Sequence, residues 1–279
     1  MHGAQGNMKI YVSADMEGVS GVVNSAQTGV TKEAREYDRA RSWMTGEVNA
    51  AIEGALAAGA AEIIVNDAHG SMRNILLEEL NPVAQLVIGA PKPLSMMQGI
   101  DEGCDAAFFI GYHAQAGSTY ASLSHTFSRQ VYTVALNGRP VGELGLNAAL
   151  AGRFGVPVAL VTGDQTLAEE ARSILGDIET VVVKEAYGMG AARCLAPSRV
   201  RGLIKEAARR AVQKGGTPFV VSSPITLSVG FQQPVQAEMA ELVPGSRRLD
   251  SRSIEFIHDD MVTLYRAWRA MVGLATLAG

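Results

Sequence analysis

The sequence predicts an α/β fold, in which a mainly parallel sheet is flanked by helices in α/β/α layers, with a smaller α+β portion at the C-terminal end. Short apolar segments that predict buried strands alternate with longer segments that predict helices over most of the chain. Near the end the pattern changes to alternating strand-like segments followed by a terminal helix. We therefore predict one domain at 8–195 and a smaller portion at 196–279.

The first βαβ unit is the clearest local pattern. Residues 9–14 predict a buried strand, and residues 62–65 predict a second one. Between them, a long stretch of mixed polar and apolar residues predicts a helix. Thr31 is its predicted N-cap, and Gly59 marks its predicted end. A strand, a helix and a strand in this order imply parallel pairing with a right-handed crossover.

The later elements follow from the same patterns. Further strands are predicted at 85–88, 106–110, 124–128, 131–136, 156–161, 180–184, 225–231 and 253–258. Helices are predicted with Glu143 in a first turn, after Asp164, over 197–214 and from Asp259 onward. The Asn137-Gly138 pair predicts a tight turn.

Composition excludes several classes of protein. With 47% hydrophobic and 19% charged residues among 279, the chain should bury a full core instead of being disordered. A net charge of −4 without a basic patch argues against a nucleic-acid partner. No apolar run reaches the roughly twenty residues of a membrane span. Two distant cysteines and a polar N-terminus without a signal-peptide pattern favour the cytoplasm.

Two carboxylates directly follow the first predicted strand. Asp15 and Glu17 are two residues apart, so in extended chain they point to the same side. Open α/β sheets bind their ligands at the carboxyl ends of their strands. Adjacent carboxylates repel each other, and this arrangement is stable only with a cation or a shared proton.

Two other predicted strands end in clusters that contain a histidine. His69 follows residues 62–65 and His113 follows residues 106–110. Considered alone, His69 could be a hydrogen-bonded loop histidine, and His113 could be a core histidine whose hydrogen bonds are satisfied. Asp67 has the spacing to orient the His69 ring as a hydrogen-bond acceptor.

His125 and Glu143 complete the candidate set. His125 lies between Ser124 and Thr126, where a serine–histidine hydrogen bond is the ordinary interpretation, and no G-x-S-x-G motif supports a nucleophilic serine. Glu143 lies in a predicted first turn, which favours an ionised carboxylate whether or not it binds a metal. We set aside His2, in the polar tail, and His258, which suits a solvated or capping role.

A mixed set of acids and histidines at one sheet edge suits zinc or a similar divalent ion. Five ligands exceed one tetrahedral site, but they suit two ions about 3.5–4 Å apart that share a carboxylate. The absence of HExxH disfavours a helix-borne single-zinc protease, and neither a P-loop nor a dinucleotide motif is present.

At these residues the sequence resembles the M55 peptidase family of D-aminopeptidases. The resemblance covers most of the chain from about Met8 and is densest through residue 165. Five motifs in order carry it: DMEG at 15–18, NDAH at 66–69, GYHA at 111–114, SH at 124–125 and RPVGELGLN at 139–147.

The resemblance implies a two-zinc site with Asp15 as the bridging carboxylate. The remaining ligands that it implies are Glu17, His69, His113 and Glu143. It places His125 outside the metal shell as the catalytic histidine. It further implies an aminopeptidase that releases N-terminal residues, D-alanine among them, from short peptides, in subunits assembled as a ring-shaped decamer.

Three alternatives stay open from the residues themselves. The same site would also suit a dinuclear hydrolase for L-peptides or other small amides, because the preference for D-residues comes from the resemblance alone. A peptide-binding protein with a structural metal is a non-enzymatic alternative. A metal-free α/β module would require all five candidate ligands to be coincidental.

Overall fold

The structure is a computed structural model that describes residues 8–29 and 34–278. Its strands are β1 (Met8–Ala14), β2 (Ala60–Asp67), β3 (Ala84–Val87), β4 (Ala106–Ile110), β5 (Val131–Leu136), β6 (Arg139–Pro140), β7 (Val158–Asp164), β8 (Glu179–Gly188), β9 (Ala191–Cys194), β10 (Ile225–Phe231), β11 (Ser246–Arg248) and β12 (Ser253–His258). Its helices are α1 (Ala34–Ala57), α2 (Glu143–Arg153), α3 (Gln165–Leu175), α4 (Pro197–Lys214), α5 (Pro234–Ala240) and α6 (Met261–Thr276).

The main sheet confirms the predicted fold class. Its seven strands run in the order β3-β2-β1-β4-β7-β8-β9, and every neighbouring pair is parallel except β8 and β9. The predicted βαβ unit is present, with Ala14 paired to Asp67 at the ends of β1 and β2. The carboxyl ends of β2, β1 and β4 therefore lie side by side at one edge.

Helices cover both faces of this sheet. Alternate residues of β1 point to opposite layers, because strand side chains have a period of two. Ile10 and Val12 pack in the core formed with α1 and α4, whereas Tyr11 packs in the core that contains residues of α2 and α3. The two layers bury most of the central strands β1, β4 and β7, whereas the edge strands β3 and β9 stay partly exposed.

A second, smaller sheet has the strand order β11-β12-β10-β5-β6 and is antiparallel. It combines the hairpin β5–β6 with three strands from the C-terminal part of the chain. Asn137 and Gly138 both have positive φ, 48° and 78°, as the predicted tight turn of this hairpin requires. The division of the chain at residue 195 stays a prediction.

Some predicted elements were wrong or incomplete. Residues 124–128 form no strand but only an isolated bridge between Thr126 and Ser128, because positive φ values at Leu123 (52°) and Phe127 (66°) turn the backbone away from a ladder. The terminal helix begins at Met261 with Asp260, not Asp259, as its N-cap. The short strands β6, β9 and β11 were not predicted, and Thr31 lies outside the described residues.

A buried chain of hydrogen bonds joins the main sheet to α2 and α6. The Tyr265 hydroxyl donates to Asn147 Oδ1 (2.8 Å), and Asn147 Nδ2 donates to the Tyr112 hydroxyl (2.9 Å). Ser13 Oγ lies 2.7 Å from the Tyr112 hydroxyl and donates to the carbonyl of Met96 (2.8 Å). Since each group is buried, the chain holds α2 and α6 at fixed positions on β1 and β4.

In the described part of the chain, no helix combines the length and apolarity needed to cross a membrane.

Asn147 provides a test of this network. Asn147→Ala leaves two buried tyrosine hydroxyls short of a partner, and we expect it to lower the free energy of unfolding by about 2–4 kcal/mol. Asn49→Ala is a matched control in α1, where the amide bonds only to backbone groups of Glu79 and Asn81, and should cost less than about 1 kcal/mol. Urea unfolding of both variants measures the difference, and equal losses would contradict a special role for Asn147.

Candidate metal centre

The structure brings all six predicted site residues together at one edge of the main sheet. Asp15 and Glu17 follow β1, and His69 and His113 follow β2 and β4, which flank β1 on either side. Glu143 is the first residue of α2, and His125 lies in the loop before β5. Five of them are buried, while the His125 side chain keeps 25% of its surface exposed.

Close backbone packing holds the ligand-bearing loops together beyond the strand ends. The Asp15 amide donates to the Ile110 carbonyl, and the Gly18 amide donates to the Gly111 carbonyl, both at 2.8 Å. A Cβ at Gly18 would overlap the carbonyl oxygen of Tyr112. Gly111 has φ of 70°, and a Cβ there would collide with the Asp15 carbonyl. These two glycines therefore allow Asp15 and His113 to approach each other.

The separations between side-chain atoms fit shared metal ions. His69 Nδ1 lies 3.1 Å from Asp15 Oδ1 and 2.8 Å from Glu17 Oε2. His113 Nε2 lies 3.4 Å from both Asp15 Oδ2 and Glu143 Oε1. Two atoms bound to one tetrahedral zinc, each at about 2.0–2.2 Å, would be separated by roughly 3.3–3.6 Å. The cluster needs only small adjustments to accept ions.

Each histidine of the cluster has one ring nitrogen against a backbone carbonyl. His69 Nε2 lies 2.6 Å from the Thr28 carbonyl, and His113 Nδ1 lies 3.0 Å from that of Ala114. In His125, it is Nδ1 that lies close to a backbone carbonyl, at 2.8 Å from that of Leu123. A carbonyl oxygen can only accept a hydrogen bond, so in each ring the nitrogen beside the carbonyl carries a proton. The other ring nitrogen is then left to bind a metal or accept a proton.

Among residues 8–29 and 34–278, two carboxylate oxygens of the cluster are buried without a hydrogen-bond donor. They are Asp15 Oδ2 and Glu17 Oε2. A buried carboxylate oxygen that lacks a donor costs free energy unless a cation lies nearby. The oxygens point to the histidine nitrogens that are free of backbone contacts, so the donor set fits a divalent ion by its chemistry as well as by its distances.

The carboxylates and histidines of the cluster shift each other's protonation. Burial and the neighbouring Glu17 raise the pKa of Asp15 to about 6. Burial alone would raise the pKa of Glu17, but the imidazoles, His69 first, hold it well below its ordinary value. Burial opposes a charged His69, yet Glu17 and Asp15 raise its pKa well above the usual range.

The second half of the cluster shows the same balance. Burial would lower the pKa of His113, but Glu143 and then Asp15 raise it to about 10. Burial acts to raise the pKa of Glu143, and His113 reverses this so that the pKa falls below its ordinary value. Without a metal the imidazolium protons stabilise the carboxylates, and a divalent ion would displace those protons when it binds.

Asp67 does not orient the His69 ring, and that sequence-based interpretation was wrong. Its carboxylate faces away and accepts from the backbone amides of Asn74 (2.5 Å) and Ile75 (2.8 Å). Asn74 Nδ2 in turn donates to Asp67 Oδ1 and to the His69 carbonyl. Asp67 thus fixes the loop that carries His69, whereas the Thr28 carbonyl orients the ring. His258 Nδ1 accepts from the Asp260 amide, consistent with the predicted capping role.

Lys184 holds the loop that carries Glu17 in place, and the sequence did not predict this role. Its Nζ donates to the backbone carbonyls of Glu17, Val19 and Val22, the last two at 3.2 and 2.6 Å. Burial lowers the pKa of Lys184 to about 8. A lysine in β8 lies far along the chain from the β1 loop, and only the parallel sheet brings the two together.

Two cavities meet at the cluster. One of about 790 Å³ and another of about 350 Å³ both include Glu17, His125 and Phe127 in their walls. The smaller cavity also contains Asp15, His69 and Glu143. His125 therefore lies where material in either cavity would meet the candidate metal ligands.

Comparison with known proteins gives consistent matches over nearly the whole chain. The family model described as D-aminopeptidase, Peptidase_M55, matches residues 8–270. A D-aminopeptidase of Bacillus subtilis (strain 168) is 39% identical over 271 residues, which cover 96% of this chain and 98% of that protein. The solved structure of the Zn-dependent D-aminopeptidase DppA from Bacillus subtilis, a self-compartmentalizing protease, superposes with a TM-score of 0.92 at 38% identity, covering 96% of this chain and 98% of the other.

Replacing Lys184 tests whether the position of the loop after β1 depends on the hydrogen bonds of this lysine. Lys184→Met removes the donor to three carbonyls, so Glu17 loses its fixed position and we expect zinc affinity to fall about 10- to 100-fold. Lys205→Met is the control, because Lys205 is exposed and pairs only with Glu53. Competition with a chromophoric chelator measures the affinity, and circular dichroism checks folding. A folded Lys184→Met protein with wild-type zinc affinity would contradict this role.

Proposed function

This chain belongs to the M55 peptidase family of D-aminopeptidases, and from that membership we propose that it releases N-terminal D-residues, such as D-alanine, from short peptides and amides. The observation that carries the proposal is the buried cluster at the carboxyl ends of β1, β2 and β4. That cluster has the donor atoms and the spacing of a metal site, and two of its buried carboxylate oxygens accept no hydrogen bond within the described residues. The enzyme is a hydrolase of the peptidase class.

We assign two divalent ions, zinc by analogy with the Zn-dependent relative, to this cluster. The ligands would be Asp15, Glu17, His69, His113 and Glu143. Asp15 is the natural bridge, because its Oδ1 faces His69 and its Oδ2 faces His113. Glu17 would complete the half with His69, and Glu143 the half with His113. Each oxygen of Asp15 would thereby serve a different ion.

When bound, such ions lower the pKa of a coordinated water and polarise the scissile carbonyl. We assign His125 to proton transfer at its Nε2. The Leu123 carbonyl keeps the proton on Nδ1, and stacking on His113 at 4.1 Å between ring centroids fixes the plane of the ring. Nε2 is the ring nitrogen left to the cavity, where it can accept a proton from the attacking water and return it to the leaving amine.

We also propose a ring-shaped homodecamer in the cytoplasm. The B. subtilis relative is described as self-compartmentalizing. The number of subunits comes from the family resemblance alone. In such an assembly, access to the cavities would be limited to short peptides. Both cysteines are free, Cys104 buried and Cys194 exposed, which is compatible with a reducing compartment.

Metal content and stereospecificity test the proposal together. We expect about two zinc ions per wild-type chain and faster hydrolysis of D-Ala p-nitroanilide than of its L-isomer. Glu143→Ala removes one ligand, so its metal content and turnover should both fall. The exposed Glu169→Ala on α3 should behave as wild type. Two metals with a preference for the L-isomer would instead indicate the hydrolase of L-peptides, and no metal with no turnover after reconstitution would refute a metalloenzyme.

His125→Ala separates a catalytic role from a ligand role. Loss of the proton-transfer group should lower kcat by about 100-fold or more while metal content stays unchanged. Metal analysis is needed because His125 Nε2, at 3.6 Å from Glu143 Oε1, belongs with His113 and Glu143 to a group spaced to hold an ion. A variant that loses metal would show that His125 is a ligand. A variant with wild-type kcat and wild-type metal content would rule out both roles.

A further inference from the structure

The terminal helix α6 contributes a charged side chain to the smaller cavity. Arg269 lines this 350 Å³ space together with Asp15, His69 and Glu143. Its guanidinium lies over the ring of Phe127, 4.1 Å from the centroid. Phe127 is itself anchored to the cluster, since its amide donates to Glu143 Oε1 at 2.6 Å. Arg269 is therefore held at the edge of the metal cluster.

Arg269 forms no close ion pair. Among residues 8–29 and 34–278 it makes no hydrogen bond or salt bridge, its guanidinium stacks on the Phe127 ring, and Glu143 attracts its charge only from farther away. The side chain is only partly exposed, and burial lowers the pKa of the guanidinium. A partly desolvated arginine without a carboxylate partner is costly, so the cavity is arranged to receive an anion.

The cluster itself does not supply that anion once the ions of the proposed function are bound. Two divalent cations more than neutralise the three carboxylates of Asp15, Glu17 and Glu143. The stacked guanidinium keeps its N–H edges free, and their geometry matches a carboxylate through two parallel hydrogen bonds. The cavity then combines a site for a scissile amide with a nearby site for a carboxylate.

We propose that Arg269 binds the C-terminal carboxylate of a short peptide substrate, and thereby selects dipeptides with a free C-terminus over their amides. This inference rests on the proposed aminopeptidase function. In a dipeptide the carboxylate carbon is three bonds from the scissile carbonyl carbon, which limits their separation to less than about 4 Å. Both groups of such a substrate fit in one small cavity. A longer peptide would carry its carboxylate beyond Arg269.

A second arginine near the site is less suited to this role. Arg129 lines the larger cavity of about 790 Å³. Its side chain is exposed, and water weakens the attraction between charges there. Arg269 is partly desolvated and shares its cavity with four of the proposed metal ligands, so its contact with a carboxylate should be the stronger one.

The test compares three substrates that differ in where a carboxylate lies. They are D-Ala-D-Ala, its C-terminal amide, and D-Ala-D-Asp amide, which carries a carboxylate only on its side chain. For zinc-loaded Arg269→Met we expect kcat/KM on D-Ala-D-Ala to fall about 10- to 100-fold, mainly through KM. Hydrolysis of the two amides should change less than about threefold. Arg269→Lys keeps the charge but not the paired geometry and should give an intermediate loss.

Matched variants and a binding measurement distinguish a role of Arg269 in substrate selection from a purely structural role. Arg266→Met, at an exposed position on the same helix, should leave all three substrates unaffected. Calorimetry in a His125→Ala background should show weaker binding of D-Ala-D-Ala, but not of its amide, when Arg269→Met is added.

Several results would overturn the inference. Equal losses on all three substrates would show that Arg269 only supports Phe127. A loss confined to D-Ala-D-Asp amide would place a side-chain carboxylate there, and a substrate-specific loss in Arg129→Met would move the site to the larger cavity. Equal wild-type kcat/KM for the dipeptide and its amide would refute the selection while the aminopeptidase function stands. Wild-type protein that cleaves none of the three would refute both.

Discussion

Electrostatic repulsion among three buried carboxylates is the constraint around which this protein is built. Asp15 lies close to both His69 and His113, Glu17 lies close to His69 and Glu143 to His113, and all three carboxylates are buried. Such an arrangement is stable only if positive charge lies between the carboxylates. Protons on His69 and His113 provide it without a metal, and divalent ions would provide it more strongly.

The rest of the fold positions these groups before any ion binds. Parallel β1, β2 and β4 bring three ligand-bearing loops to one edge, and Gly18 and Gly111 let two of those loops touch. Lys184 fixes the loop after β1 through three carbonyls, and Asp67 fixes the loop after β2. Preorganisation of this kind spares a metal from ordering the backbone when it binds.

The sequence predicted the parts of the site that depend on local pattern. Acids and histidines directly after apolar strands are visible as such, and parallel topology places the six candidate residues together, whereas their roles as ligands or catalyst stay predictions. Lys184 and Arg269 were not found, because each acts on a residue more than a hundred positions away and neither lies in a motif. Residues 124–128 were mistaken for a strand because Thr126 and Phe127 favour strands, whereas the positive φ of Phe127 interrupts the ladder.

In the proposed function, catalysis and substrate binding depend on different parts of the chain. The proposed metal ligands lie between Asp15 and Glu143, whereas α6 supplies Arg269, Val272 and Gly273 to the wall of the smaller cavity. Such a division requires α6 to keep its place relative to the ligands. The buried hydrogen bonds from Tyr265 through Asn147 and Tyr112 to Ser13 meet that need, because they connect α6 to β1, which Asp15 directly follows. Since Tyr265 lies one helical turn before Arg269, the same contact that stabilises the fold also sets the distance between the guanidinium and the metal cluster.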